Sequence, residues 1–258
     1  MNVLIGDIGN TVTKICLVET RKFKIKKIIY FNSIEIKSKK LLKKNFKKII
    51  SNQSSPVKTL FSCVVPEYHK IVKNFLINNY KIKLNEIKDK VIKKLIKINI
   101  KNKKQVGSDR IANAVGAFTK YKINCIVLDF GTATTFDVVT KNGVYIGGVI
   151  APGINLSIKS LSKSANQIPL FSIKKQSKVI GKNTLEALRS GFYWGYSGLI
   201  NSIIFKIENE TNKKYKIIFT GGYASLFKTS IKRSFRIDRN ITIKGITEIY
   251  KHNLKKLN

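Results

Sequence analysis

The feature that most constrains the fold is a motif that occurs twice, once at the N-terminus and once in the middle of the chain. Residues 3–13, VLIGDIGNTVT, and residues 126–135, IVLDFGTATT, share an apolar run, an aspartate, one variable residue, a glycine and then asparagine or threonine. An apolar run that ends in a polar, glycine-bearing stretch is typical of a strand that enters a tight turn. Because strand patterns follow both copies, the repeat predicts a duplicated α/β protein, with its halves at residues 1–118 and 119–258.

The hydrophobic periodicity adds helices and further strands to each half. In the first half it predicts strands within residues 2–31 and at 60–65, and helices at about 35–52, 67–80 and 107–121. In the second half it predicts strands within 123–153 and at 216–220, and helices at about 153–165, from Thr184 to about Glu208, and at the segment TGGYASLF. The opening strand, turn and strand form a meander, which differs from the strand and helix that open a dinucleotide-binding fold.

Composition restricts the class of protein. The 258 residues, 43% of them hydrophobic, are enough to bury a large core. The cysteines Cys16, Cys63 and Cys125 are far apart and form no CxxC pair, which favours a reducing compartment. The N-terminus has no basic segment before its short apolar run, and no apolar run reaches the roughly 18 residues of a spanning helix. We therefore expect a cytoplasmic protein without a membrane segment.

The charge balance allows two interpretations. Fifty Lys+Arg residues against fourteen Asp+Glu residues give a formal net charge of +36, which suggests a nucleic-acid or anionic membrane partner. However, nearly all of these cations are lysine, and isoleucine and asparagine are also abundant, which is typical of AT-rich coding sequence. The lysine-rich segments 39–48 and 90–104 interleave lysine with leucine and isoleucine, as solvated faces of ordinary elements do. We favour this second interpretation and expect no nucleic-acid partner.

The few aspartates are concentrated at glycine-bearing turns. Asp7, Asp109, Asp129 and Asp137 lie in or directly beside three such turns. Glycines allow backbone N–H groups to approach phosphate oxygens, and neighbouring hydroxyl and amide side chains add donors. Either motif alone would more often mark only the end of a strand. Two copies in the same context favour a nucleotide-phosphate site, with donors at Asn10, Thr11, Thr13, Thr132, Thr134 and Thr135.

Other common sites are excluded by inspection. The chain contains no GxxxxGK[ST] and no GxGxxG motif. His69 and His252 lie in lysine-rich polar surroundings, which favours surface positions over roles as bases or ligands. Gly221 and Gly222 could lie against a base or ribose, or could form a close packing turn.

The segment VGSDR, residues 106–110, places Asp109 in the first turn of a predicted helix that begins at Ser108 or Asp109. The helix dipole stabilises the charged carboxylate there, so Asp109 could act as a base only through its position beside an alcohol. The alternative is that Asp109 only caps the helix.

Taken in order, DIGNT, VGSDR, DFGTATTFD, GGVIAPG, NTLEALRSGFYWGYSGLI and TGG resemble the type III pantothenate kinase family of the sugar kinase, Hsp70 and actin superfamily. The resemblance covers about residues 3–223. It implies a duplicated actin-like, ribonuclease H-like fold with a cleft between two domains, and a homodimer. It also implies ATP-dependent phosphorylation of pantothenate to phosphopantothenate, with magnesium, as the first step of coenzyme A biosynthesis.

The resemblance also implies roles for individual residues. Asp109 would accept the proton of the pantothenate hydroxyl, and Asp129 would hold a monovalent cation, potassium or ammonium. The pantothenate pocket would include Gly107, Ser108, Asp109, Arg110 and Thr184. The ATP phosphates would be held by Asp7, Ile8, Gly9, Asn10, Thr11, Val12, Thr13, Lys14 and Thr132.

The sequence departs from the family pattern before GSDR. The family typically has a tyrosine that helps to bind substrate at the position of Ile100, so we expect weaker pantothenate binding. Ser108 replaces the common alanine.

The aromatic residues Phe192, Tyr193, Trp194 and Tyr196 are too many for one narrow helical stripe, which predicts a subunit interface on the helix that begins at Thr184. The alternative is that all four belong to the core of one chain.

Two other functions stay open: an actin-like kinase of another small alcohol, and a nucleic-acid-associated regulator of the Bvg accessory factor type.

Overall fold

The computed structural model describes residues 2–50, 58–87, 95–165, 167–231 and 233–254. The chain divides into two compact units. Unit 1 comprises residues 1–122, 142–146 and 240–258, and unit 2 comprises residues 123–141 and 147–239. The end of the helix predicted at 35–52, Asp89, and part of the lysine-rich segment 90–104 lie outside the described residues.

Unit 1 contains a four-stranded sheet in the order β3-β2-β1-β4. Strand β1 is antiparallel to β2 and parallel to β4. The elements in chain order are β1 (Asn2–Ile8), β2 (Val12–Glu19), β3 (Lys24–Asn32), α1 (Lys39–Ile50), β4 (Lys58–Cys63), α2 (Pro66–Tyr80), β5 (Lys97–Ile98), α3 (Ser108–Tyr121) and, from the end of the chain, α6 (Ile241–Leu254). Short 3-10 helices occupy Ser33–Lys37 and Lys103–Gln105.

The helices of unit 1 follow from their sequence patterns. In α1 the apolar side chains, including Leu42, Phe46 and Ile49, are buried in one core with Phe61 of β4, while the lysines of α1 are exposed. Helix α2 begins at Pro66, a residue that suits the first turn because its missing N–H has no partner there in any case. The lysines of α1 therefore form a solvated face, as the sequence indicated.

Helices α3 and α6 cross in close contact inside unit 1. A Cβ atom on Gly245 would lie 1.8 Å from the carbonyl oxygen of Ala112, and one on Gly116 would lie 2.5 Å from that of Ile241. Thr242 Oγ1 also donates a hydrogen bond of 2.8 Å to Asn113 Oδ1. This packing assigns the last helix to unit 1, a division that differs from the expected one at 118/119.

Unit 2 repeats the strand arrangement of unit 1. Its sheet has the order β10-β9-β6-β7-β8, in which β8-β7-β6-β9 corresponds to β3-β2-β1-β4. Strand β6 is antiparallel to β7 and parallel to β9, as β1 is to β2 and β4. The elements are β6 (Cys125–Phe130), β7 (Ala133–Val139), β8 (Val144–Pro152), α4 (Ile154–Ser164), α5 (Thr184–Thr211), β9 (Lys216–Gly221) and β10 (Phe235–Ile237).

The first residues of β8, Val144 and Tyr145, belong to unit 1 and pair in parallel with β5.

The helix predicted at TGGYASLF is wrong: residues 222–230 form consecutive turns, with Leu226 N bonded to Tyr223 O and Ser230 N bonded to Phe227 O. Phe227 is buried and stacks on Phe130 and Tyr193, so ring packing rather than helical periodicity sets this segment. In the part of the chain that the structure describes, no helix is long and apolar enough to span a membrane.

Candidate active site

The first copy of the repeated motif forms the turn between β1 and β2 in unit 1. Asp7, at the end of β1, lies opposite Lys14, and Asp7 Oδ2 is 4.0 Å from Lys14 Nζ. Asn10 and Thr11 are exposed at the tip of the turn, whereas Thr13 is buried with its hydroxyl 2.8 Å from Ser33 Oγ. The turn therefore offers the side chains of Asn10 and Thr11 to a ligand, and the hydroxyl of Thr13 is used inside the protein.

The start of α3 holds Asp109 in a defined position. The N-cap residue is Gly107, so Asp109 lies inside the first turn and does not cap the helix. Asp109 Oδ1 accepts a hydrogen bond of 2.8 Å from Arg110 N. A Cβ atom on Gly107 would lie 2.4 Å from Asp109 Oδ1, so glycine is required for the carboxylate to fold back over the turn.

Ser108 connects the start of α3 to the end of β4. Its Oγ lies 2.9 Å from Ser62 Oγ, accepts a hydrogen bond of 3.1 Å from Cys63 N and lies 3.3 Å from Cys63 O. Ser62 is the register partner of Asp7 across the parallel pair β1 and β4. The structure thus brings Asp7, Ser108 and Asp109 to one edge of the unit 1 sheet, which sequence spacing alone could not show.

A cavity of about 220 Å³ adjoins the turn after β4. It is lined by Cys63, Val64, Pro66, His69 and Glu86. His69 Nε2 lies 2.7 Å from Glu86 Oε1, so His69 is part of a cavity wall rather than an isolated surface residue. Sequence analysis missed this pair because its members are brought together only by the fold.

Cys63 is a free cysteine beside Ser108. Burial raises the pKa of its thiol to about 11. The thiol is therefore protonated at neutral pH, and Cys63 is not an activated nucleophile.

The second copy of the motif forms the turn between β6 and β7 in unit 2. Asp129 is half-buried at the end of β6, and a Cβ atom on Gly221 would lie 2.6 Å from Asp129 Oδ1. Gly221 has a φ of +82°, a conformation that favours glycine. Thr132 is exposed at the tip of the turn, and Gly153, at the start of α4, packs against its carbonyl oxygen.

Two threonines of unit 2 are buried: Thr134, which the sequence predicted as a donor to phosphate, and Thr220, for which it predicted no individual role. Thr134 and Thr220 are both 0% exposed, and neither hydroxyl has a hydrogen-bond partner among the described residues. Thr220 lies opposite Asp129 across β6 and β9, whereas Thr134 lies opposite Phe130 across β6 and β7. Asp137 is buried within β7 rather than in the turn.

The remaining sequence-predicted residues lie elsewhere in their units. Thr184 is exposed in unit 2, at the first position of α5, directly after the N-cap Asn183. Ile100 is half-buried in unit 1, shortly after β5. Among the described residues, no group of three His, Cys, Asp or Glu side chains is arranged to hold a metal ion.

The aromatic residues of α5 differ in their environments. Tyr193 is buried and stacks on Phe227, whereas Phe192 packs edge-on against Phe171. Tyr196 hydroxyl lies 2.8 Å from Ser157 Oγ of α4, and Trp194 is 36% exposed. The four rings therefore belong neither wholly to the core nor wholly to the surface.

Three glycines of α5 are exposed on the same side of the helix as Trp194. A Cβ atom on Gly191, Gly195 or Gly198 would meet no atom within 4 Å. Because residues three and four apart share one helical face, these positions form a smooth, open strip.

Comparisons with known proteins give a consistent result. A family model described as type III pantothenate kinase matches residues 3–206. A type III pantothenate kinase of Pelagibacter ubique (strain HTCC1062) is 49% identical over 244 residues, which cover 95% of this chain and 96% of that protein. A type III pantothenate kinase of Jannaschia sp. (strain CCS1) is 48% identical over 151 residues, which cover 58% of each chain.

Solved structures with little sequence identity share the fold. A putative 2-dehydro-3-deoxygalactonokinase from Sinorhizobium meliloti gives a TM-score of 0.60 at 7% identity and covers 96% of both chains. Lmo2764, a putative N-acetylmannosamine kinase from Listeria monocytogenes, gives a TM-score of 0.52 at 11% identity and covers 100% of both chains. The duplicated actin-like fold predicted from the sequence is confirmed.

Proposed function

Because the chain belongs to the type III pantothenate kinase family, we propose that Asp109 accepts the proton of the pantothenate hydroxyl as that hydroxyl receives a phosphoryl group from ATP. The predicted family and activity are confirmed: the protein phosphorylates pantothenate in coenzyme A biosynthesis. The residue-level mechanism rests on one observation above all. Asp109 is fixed by Gly107 and Ser108 at the same sheet edge as Asp7.

Phosphoryl transfer depends mainly on positioning and on neutralising charge, with little covalent chemistry for the protein to perform. Asp109 fits this requirement because its carboxylate is held in place before substrate arrives, so it can accept a hydrogen bond from an alcohol in one defined direction. Pantothenate binding by Gly107, Ser108, Asp109, Arg110 and Thr184 remains a proposal on the family pattern.

ATP binding is proposed for residues 7–14 and Thr132. The exposed Asn10 and Thr11 support this proposal, since backbone and side-chain donors at a glycine turn suit phosphate oxygens. Lys14 adds a positive charge beside the turn, and it lies 4.0 Å from Asp7. Magnesium enters bound to the phosphates of ATP.

Asp129 is proposed to hold a monovalent cation, potassium or ammonium. The surroundings fit such an ion, because the carboxylate lies against Gly221 and opposite the buried hydroxyl of Thr220, which has no partner among the described residues. A bound cation would neutralise charge on a phosphate held by Thr132 of the same turn. Asp129 would hold that cation in place.

A homodimer formed through α5 is proposed as well. The smooth strip of Gly191, Gly195 and Gly198 would allow another helix to approach closely, and Trp194 offers an aromatic anchor beside it.

We also propose a cytoplasmic location, which is supported by the free thiols of Cys16, Cys63 and Cys125.

The proposal is tested by offering the purified protein pantothenate and a panel of other small alcohols, with ATP consumption as the readout. We expect turnover with pantothenate and its loss in Asp109→Asn. Equal turnover with an unrelated polyol would contradict the proposal that pantothenate is the specific substrate.

A further inference from the structure

We propose that the hydroxyl of Thr220 is a second oxygen ligand of the cation held by Asp129, and that it sets the affinity of that site for potassium. This inference rests on the proposed role of Asp129. It concerns a residue of β9 to which sequence analysis assigned no individual role.

The first observation is the state of the Thr220 side chain. Thr220 is 0% exposed, and its Oγ1 has no hydrogen-bond partner among the described residues. Buried hydroxyl groups in native proteins nearly always have a partner, and an exception requires an explanation such as a missing water or ion. The hydroxyl of Thr220 therefore points to a ligand.

The second observation is the position of that hydroxyl. Thr220 and Asp129 are register partners in the parallel pair β9 and β6. Adjacent strands lie roughly 5 Å apart, and register partners carry their side chains on the same face of the sheet. Both oxygen-bearing side chains therefore lie side by side at the carboxyl ends of their strands.

The third observation is the space that glycine provides next to them. A Cβ atom on Gly221, the residue after Thr220, would lie 2.6 Å from Asp129 Oδ1, and one on Gly131 would lie 3.8 Å from the same atom. The carboxylate thus lies against glycine backbone, where no side chain occupies the space beside it.

The chemistry of these groups favours a monovalent cation. One carboxylate balances one positive charge, and neutral oxygens complete the shell of a large, weakly hydrated ion, as carbonyl oxygens do in potassium channels. A threonine hydroxyl can direct a lone pair to the ion and its proton away from it. Thr220 thus supplies a neutral ligand beside the charged ligand Asp129.

The same sheet contains a matched control. Thr134 is also 0% exposed with a hydroxyl that has no partner among the described residues, but its register partner is Phe130. Because Phe130 follows Asp129 directly, it points to the opposite face of the sheet, and Thr134 points there too. Removing the Thr134 hydroxyl should leave the cation site unchanged.

The test measures the midpoint of thermal unfolding with a non-hydrolysable ATP analogue, in potassium chloride or in choline chloride at the same ionic strength. Binding to the folded state raises the midpoint. We expect potassium to stabilise the wild type, Thr220→Ser and Thr134→Val. In Thr220→Val we expect about tenfold more potassium to be needed for the same shift in the unfolding midpoint. In choline chloride we expect Thr220→Val to be no less stable than the wild type, because the valine removes a buried polar group.

Thr220→Cys provides a second comparison, since it differs from Thr220→Ser in one atom and sulfur is a poor ligand for potassium. We expect a weakened potassium response in Thr220→Cys and a retained one in Thr220→Ser. If Thr220→Val and Thr220→Cys respond to potassium like the wild type while Asp129→Asn does not respond, Thr220 is not a ligand and only this inference fails. If the wild type itself does not respond to potassium, the proposed cation role of Asp129 fails, and this inference with it.

Discussion

Ser62 Oγ and Ser108 Oγ lie 2.9 Å apart and join the end of β4 to the first turn of α3. Ser62 is also the register partner of Asp7 in β1. Through this contact the end of β1, which bears Asp7, and the start of α3, which bears the proposed base Asp109, share one support. The position of Asp109 is therefore set by strands that lie far from it in the sequence.

Asp109→Asn should keep the fold and ATP binding but remove most of the turnover. The amide is nearly the same size as the carboxylate and cannot accept the proton, and loss of a general base typically costs about a hundredfold to ten-thousandfold in rate. Steady-state kinetics and ATP titration would measure both effects. A kcat close to that of the wild type would show that Asp109 only stabilises the helix.

Asp129→Ala should abolish the response to monovalent cations together with most of the activity. The wild type should be more active in potassium or ammonium than in sodium, because a single carboxylate with neutral oxygens suits a large, weakly hydrated ion. Initial rates in matched salts at constant ionic strength would check this. Equal rates in potassium and sodium would contradict the assignment.

Ser108→Ala should lower stability more than it lowers activity. The change leaves Cys63 N and Ser62 Oγ without their partner, and each lost hydrogen bond costs roughly 0.5–1.5 kcal/mol. Denaturant unfolding would measure the loss. Asp109 keeps its own bond to Arg110 N, so we expect a kcat within about tenfold of wild type. A larger fall in kcat at unchanged stability would show that Ser108 takes part in the reaction.

Gly195→Leu should weaken self-association without unfolding the protein. A side chain at this position meets no atom within 4 Å, so the chain itself can accept it, whereas a helix packed on the glycine strip cannot. Asn209→Leu, at an exposed position in the last turn of α5, is the matched control. Light scattering at micromolar concentration should give a dimer for the wild type and the control. A monomeric wild type would refute the proposed interface.

Ile100→Tyr should lower the KM for pantothenate and change kcat little. A tyrosine hydroxyl would add one hydrogen bond of roughly 0.5–1.5 kcal/mol, which corresponds to about twofold to twelvefold in affinity. Kinetics with varied pantothenate would test this. If Ile100→Tyr has no effect and Lys103→Ala or Lys104→Ala raises the KM sharply, the pocket differs from that of the family at this position.

The sequence by itself determined most of the elements and the family. The two meanders, the strand at residues 58–63 and the helices that begin at Pro66, Ser108 and Thr184 follow from local hydrophobic period and turn residues, which act over a few neighbouring positions. The ordered motifs identified the family, which the comparisons confirmed. The residue assignments built on those motifs remain predictions.

Only the tertiary structure decided which distant residues meet. The assignment of α6 to unit 1 depends on Gly116 and Gly245, whose close contact leaves no periodic signal in the sequence. The contact of Ser62 with Ser108 and the pairing of Thr220 with Asp129 are set by strand order and register. Register depends on the packing of whole strands rather than on any one segment, so these neighbours could not be read from local pattern.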